Sequence, residues 1–142
     1  EGGRRHGEEA GVQQVAREAT RSYGIVDSVP LTGNLERIRR IVEKPSPEDA
    51  PSTLGVVGRY VLTPEIFRHL DKLNPGSGGE IQLTDGIASL MQQQQILAYR
   101  YQGTRYDCGS KLGYLQATVE LGMRHPEVGK PFSDYLKTRR AP

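Results

Sequence analysis

Three short segments carry the residue types that suggest chemistry. Glu43 and Lys44 stand side by side immediately before Pro45. A carboxylate accepts hydrogen bonds from hydroxyls, and an ammonium meets phosphate as a compact point charge. Such a pair at a strand end could grip both ends of a polar, phosphorylated ligand. Taken alone, it reads first as a solvated surface pair of little worth. Gly76-Ser77-Gly78-Gly79-Glu80 has the composition of a loop that cradles phosphate ahead of a helix. It lacks the Gly-Lys-Ser/Thr of a P-loop, and no strand directly precedes it as the dinucleotide fingerprint requires. An ordinary connecting loop is therefore the first reading, with Glu80 and Asp85 as partners of a helix dipole. Tyr106-Asp107-Cys108-Gly109 lies between a strand and a helix, the kind of place where ligands collect in α/β sheets. Asp107 could offer a hard oxygen to Mg2+, or simply cap the helix that follows. Cys108 has no neighbouring histidine to activate it and reads as a small buried residue.

The elements that must position these groups follow from periodicity and punctuation. Tyr23–Val29 is β-rich and ends at Pro30 and the Thr32-Gly33-Asn34 turn. Leu35–Glu43 is ambiguous. Its apolar residues at 35, 38, 41 and 42 have helical spacing, yet it is short and lies between a turn and a proline. A strand is the expectation, with Lys44 extended, because the residue before proline resists the α region. Ser46-Pro47-Glu48-Asp49 has the cap, proline and acids of a helix start, which Pro51 limits to one turn. Gly55–Leu62 reads as a buried strand. Thr63-Pro64-Glu65 opens a helix with Ile66, Phe67, Leu70 and Leu73 inward. Further helices are expected over 83–95, 111–124 (inward stripe Leu112, Leu115, Val119, Met123) and 131–139, with a strand over 96–101. Strands alternating with helices indicate an α/β fold.

Composition narrows the field. The 142 residues suit one domain, or part of one, with 35% hydrophobic and 25% charged residues. The net charge of +2 and the separated pairs Arg4-Arg5, Arg39-Arg40 and Arg139-Arg140 do not make a nucleic-acid groove. His6, His69 and His125 lack metal-ligand spacing. No apolar run approaches the ~18–20 residues of a membrane span, so no membrane association is expected. The lone Cys108 excludes an intrachain disulfide and favours a cytoplasmic setting. Residues 1–11 offer only Ala10 for burial and read as a loose tail or foreign remnant, with residues 12–142 as the globular part.

Five segments, each weak alone, occur in one order: Arg21-Ser22-Tyr23-Gly24-Ile25-Val26-Asp27, Val42-Glu43-Lys44-Pro45, Val57-Gly58-Arg59-Tyr60-Val61-Leu62, Gly79-Glu80-Ile81-Gln82-Leu83-Thr84-Asp85 and Tyr106-Asp107-Cys108-Gly109. Together they resemble the bacterial UTP–glucose-1-phosphate uridylyltransferases, sugar nucleotidyltransferases, from about Val12 to Leu136. The resemblance implies a Rossmann-like α/β fold with a mixed sheet flanked by helices. It implies formation of UDP-glucose and pyrophosphate from UTP and glucose 1-phosphate, with Mg2+. The sugar phosphate attacks in line, so catalysis is mostly positioning and charge neutralisation.

Residue by residue, the resemblance makes Glu43 the acid on the glucose hydroxyls and Lys44 the catalytic lysine at the sugar-linked phosphate. Gly24 becomes the backbone closing over the sugar. Gly58 and Glu80 line the sugar pocket, and Asp107 assists the metal. The family's glycine-rich nucleotide loop and central acidic loop have no counterpart here. The expectation is a C-terminal, sugar-phosphate-binding half, inactive alone and prone to self-association through exposed strand edges as a homo-oligomer. A related enzyme using dTTP or ATP, and a non-catalytic sugar-phosphate-binding or oligomerisation module, are the alternatives.

Overall fold

The computed structural model describes residues 8–76 and 79–139. Residues 1–101 and 102–142 form two compact units. The first is built on five strands: β1 (Glu8–Gln14), β2 (Gly24–Thr32), β3 (Leu35–Glu43), β4 (Leu54–Val61) and β5 (Ile96–Arg100). Their order is β1-β4-β2-β3-β5, closed on itself as a barrel. Four pairings are antiparallel and the closing one, β1 with β5, is parallel. The sheet is therefore mixed, as expected. The expectation of open strand edges is not met among these strands, because each has a partner on both sides.

Several boundaries differ from the sequence reading: β2 runs through Pro30 to Thr32, and the helix expected over 83–95 ends at Leu90. Glu8–Gly11, taken as loose tail, belong to β1, with Glu8 and Ala10 at 2% and 0% exposure. The rest of that segment, residues 1–7, lies outside the described residues. Thr63 donates to the Oε1 of the buried Glu8 from both its backbone N–H and its hydroxyl, while Oε2 is buried with no hydrogen-bond partner among the described residues. Ser46–Ala50 forms a turn, not a helix. Ser46 Oγ still caps it, accepting from the Asp49 N–H at 3.2 Å.

The core lies between the sheet and two helices, α1 (Glu65–Leu70) and α2 (Leu83–Leu90). Val12, Val26, Ile87, Leu90, Ile96 and Ala98 are all but fully buried. Full burial of such aliphatic side chains contributes about 1.5–3 kcal/mol each, which fixes α2 against the sheet. Phe67, expected inward on α1, is 65% exposed, whereas Ile66 and the less obvious His69 are buried. In this helix of six residues the buried face is made by Ile66 and His69, with Leu70 partly buried beside them.

In the second unit, α3 (Lys111–Arg124) starts on the Ser110 cap, whose Oγ accepts from the Gly113 N–H at 3.0 Å. It is followed by α4 (Gly129–Thr138). The expected apolar stripe is not the buried one. Leu112 and Leu115 are 66% and 59% exposed, and burial falls on Gly113, Ala117 and Gly129. Small residues allow close approach here: a Cβ at Gly129 would lie 2.4 Å from the Met123 carbonyl oxygen, and one at Gly122, 3.0 Å from the Phe132 ring.

Candidate functional site

The β2–β3 ladder brings the first pair of candidates together. Its register sets Gly24 opposite Glu43. One step further, the Lys44 N–H donates to Tyr23 O at 3.0 Å. Glu43 and Lys44 are thus anchored by backbone hydrogen bonds, at the opposite end of the hairpin from its Gly33 turn.

The face that Glu43 occupies depends on an irregularity. Asp27 pairs with Arg40 and Ser28 with Ile38, so Arg39 is an extra residue in β3. Before the bulge, Glu36 and Ile38 point inward. After it, Ile41 is the buried residue and Glu43, two further on, shares its face. An ion pair from Arg39 to Asp27, 2.9 Å, ties the bulge down.

Above Glu43 sits the start of α2. Thr84 is 5% exposed, and its hydroxyl donates to Glu43 Oε2 at 2.5 Å. Gly24 completes the enclosure. A Cβ there would lie 3.2 Å from Glu43 Oε2 and 3.3 Å from Thr84 Oγ1, so the site is built around its absence. Burial, helped by the negative charge of Glu43, pushes the Tyr60 phenol above its ordinary 10.0. Tyr60 therefore stays protonated near Glu43 and can donate.

Lys44 departs from the extended conformation expected before proline. Its φ is +44°, the left-handed region that costs a non-glycine residue about 1–2 kcal/mol. Its Nζ stands 3.9 Å from Glu43 Oε1, and the side chain is 59% exposed. That separation makes a weak pair. The ammonium is not spent on Glu43 and is available to a ligand.

The remaining candidates are placed less closely. Gly58, φ +73°, lies in a bulge of β4, where Val57–Arg59 face the single residue Gly11. It is two residues from Tyr60, and nothing within 4 Å would meet a Cβ there. Glu80 is exposed ahead of α2, and its carbonyl accepts from the Gly76 N–H at 2.9 Å. Ser77 and Gly78 of that loop lie outside the described residues.

Asp107 belongs to the second unit. Its Oδ1 accepts from the Gly109 N–H at 3.0 Å, and its carbonyl accepts from the Ser110 hydroxyl. A Cβ at Gly113 would fall 2.1 Å from that carbonyl, so this loop too is shaped by a glycine. Cys108, read as buried, is exposed. Among the described residues no group of three or more His, Cys, Asp or Glu could hold a metal. Asp107 fits one share of a Mg2+ site, the share that a single carboxylate provides when phosphate oxygens and water fill the rest.

Thr84 and Tyr60 were missed as site residues by sequence reasoning. Both stand inside segments that carried the resemblance, Gly79–Asp85 and Val57–Leu62, but neither spacing nor charge marks them. Only the fold shows a threonine hydroxyl directed at Glu43.

At the end of an antiparallel ladder, a held carboxylate with a lysine ammonium beside it presents an acceptor for hydroxyls and a positive charge for phosphate. Residues 4–123 match the nucleotidyl transferase family model, and the chain belongs to that family. It is 48% identical over 118 residues to UTP–glucose-1-phosphate uridylyltransferase of Bacillus subtilis, covering 83% of this chain and 40% of the relative. Against the Staphylococcus epidermidis enzyme of the same name the identity is 43% over 127 residues, 89% and 44% of the two chains. A solved UDP-glucose pyrophosphorylase complexed with UDP-glucose superposes with TM-score 0.77 at 37% identity, covering 96% of this chain and 46% of that one. A UTP-bound enzyme of the same kind from Acinetobacter baumannii gives TM-score 0.80 at 39% identity, with 96% and 47% covered. The chain thus spans about half the length of the relatives it matches.

Proposed function

We propose that this chain supplies the sugar-phosphate side of a UTP–glucose-1-phosphate uridylyltransferase, which forms UDP-glucose and pyrophosphate. The observation that carries the reading is the Glu43 carboxylate, held by Thr84 opposite Gly24 with the Lys44 ammonium beside it. Glu43 accepts hydrogen bonds from glucose hydroxyls. Gly24 brings the backbone close over the ring, because a side chain there would occupy the space. Lys44 neutralises charge on the sugar-linked phosphate and so orients its oxygen for in-line attack on the α-phosphorus of UTP. Gly58 and Glu80 extend the pocket wall. The groups placed here bear on the sugar phosphate and not on the base, so they support binding and leave the chain alone with negligible turnover.

Mg2+ belongs to this reading, with Asp107 as one oxygen donor. When bound, the ion neutralises phosphate charge. Asp107 itself presents its carboxylate from a loop fixed by the Gly109 N–H and the Ser110 hydroxyl. A cytoplasmic setting accords with the single exposed cysteine, and no described helix is long and apolar enough to cross a membrane. Self-association belongs to this reading too, through the exposed Leu112 and Leu115 of α3. Light scattering at high concentration measures it.

The test is a calorimetric titration of the chain with UDP-glucose and Mg2+, beside Lys44→Ala. Binding to the wild type that is lost in the variant is the expected result. Equal binding by both would remove Lys44 from the site, and no binding by a folded wild type would overturn the reading.

A further inference from the structure

We infer that Thr84 is a positioning residue, which sets the rotamer of Glu43 so that Oε1 is the oxygen offered to ligand. The inference deepens the functional reading and rests on Glu43 being the ligand-holding carboxylate. A glutamate side chain has three rotatable bonds, and a half-buried one at a strand end is not fixed by the ladder alone. Here one oxygen is claimed. Thr84 Oγ1 donates to Oε2 at 2.5 Å, the short range of hydrogen bonds to ionised acceptors. Lys44 Nζ lies on the Oε1 side, 3.9 Å away. The two oxygens thus have separate duties, one fixed within the fold and one beside the lysine.

Three features make the threonine a fixed reference. Thr84 is 5% exposed, so water does not compete for its hydroxyl. It is the second residue of α2, which Ile87 and Leu90, both 0% exposed, lock into the core. Gly24 lies within 3.3 Å of both polar atoms by its would-be Cβ, which leaves the pair little space in which to shift. With Oε2 taken by Thr84, Glu43 offers Oε1 as a carboxylate acceptor, which suits sugar hydroxyls and not phosphate oxygens. In this arrangement the threonine helps decide which end of a sugar phosphate meets Glu43 and which meets Lys44.

Thr84→Val removes the hydroxyl and keeps the shape. Two readouts are made on the full chain: the side-chain rotamer populations of Glu43 from NMR three-bond couplings without ligand, and calorimetry with UDP-glucose. The expected results are averaging of the Glu43 rotamers in Thr84→Val, UDP-glucose binding weaker by about tenfold or more, and recovery of both in Thr84→Ser. Unchanged Glu43 couplings in Thr84→Val overturn the inference, and so does undiminished binding. If the wild type fails to bind UDP-glucose, the sugar-binding reading falls, while the couplings still decide whether Thr84 controls Glu43. Should Thr84→Val not fold, the wild-type Thr84 hydroxyl proton decides. Slow exchange with water supports the contact, and exchange as fast as an exposed threonine's refutes it.

Discussion

Gly24→Ala separates crowding at the site from damage to the fold. Gly24 is not among the described glycines with positive φ, so alanine is compatible with the backbone. On that ground alone the substitution would stabilise the protein by about 0.4–1 kcal/mol, by restricting the unfolded chain. The new methyl, however, would lie 3.2 Å from Glu43 Oε2 and 3.3 Å from Thr84 Oγ1. Relief requires a few tenths of an ångström from one of them, and the two are already joined at 2.5 Å. Overpacking of this kind costs about 1–3 kcal/mol. The net stability loss is then about 0–2.5 kcal/mol, a modest shift in a urea transition. The effect on UDP-glucose affinity should be larger in consequence, because displacement falls on the carboxylate that meets the ligand. A loss of about tenfold corresponds to ~1.4 kcal/mol. Calorimetric titration and urea unfolding on the same preparation provide both numbers. Gly58→Ala is the contrast, with strain from φ +73° but nothing within 4 Å of the added carbon. Undiminished ligand affinity in Gly24→Ala would refute the crowded-site argument.

Glu36 is 7% exposed and accepts from Ser28 at 2.6 Å and from Arg100. The Ser28 hydrogen bond, with Arg100 adding to it, holds its carboxyl below the ordinary 4.5. A lowered acid contributes stability that is present above 4.5 and is lost as pH falls through the folded value. Urea midpoints from about pH 6 down to about pH 3 should therefore fall less steeply in Glu36→Gln than in the wild type; parallel slopes would count against the account. Gly113→Ala would set a Cβ 2.1 Å from the Asp107 carbonyl. It should cost 3 kcal/mol or more by overpacking against backbone, at about the top of the usual range, against ~1 kcal/mol for Ser110→Ala at the cap. Comparable thermal shifts in the two variants would contradict this ranking. Deletion of Arg39 removes the extra residue of β3, so Glu36 with Ile38, or Ile41 with Glu43, must turn outward. Exposure of one isoleucine costs about 1.5–3 kcal/mol. A deletion protein that unfolds and binds UDP-glucose like the wild type would show that the bulge does not set the face.

How far the sequence could be read is decided at that same bulge. β3 is the strand expected, although its apolar residues at 35, 38, 41 and 42 have helical spacing. The three-residue step from Ile38 to Ile41 is not a helical period. It is two-residue alternation interrupted by one extra residue, Arg39. Single-sequence periodicity has no means of telling the two apart, since the bulge is defined by the partner strand. Strands over 23–29, 55–62 and 96–101 were legible because β-branched and apolar residues dominate them between turn signals, although β2 runs on through Pro30 to Thr32. The first strand was not: Glu8-Glu9-Ala10-Gly11 is a poor strand by propensity, and it is a strand because β4 and β5 pair with it on both sides. The stripe assigned to α3 failed for a related reason. Burial there follows close approach at Gly113 and Ala117, which a count of large apolar residues ignores.

The site shows the same division. Glu43 and Lys44 could be picked out because charge beside a proline is visible in one dimension. Thr84 could not, because its importance lies in one hydroxyl and in the 41 residues that separate it from its acceptor. Lys44 is where local rule and fold disagree most openly. A residue before proline is expected to be extended, yet this one adopts φ +44°. The ladder explains how: its N–H is held by Tyr23 O at 3.0 Å, while Pro45 behind it is buried. A strain of about 1–2 kcal/mol is sustained at a residue whose side chain is 59% exposed. Strain of that kind, placed on an exposed charge that the fold engages only through a weak pair with Glu43, fits a group positioned for a ligand better than one positioned for stability.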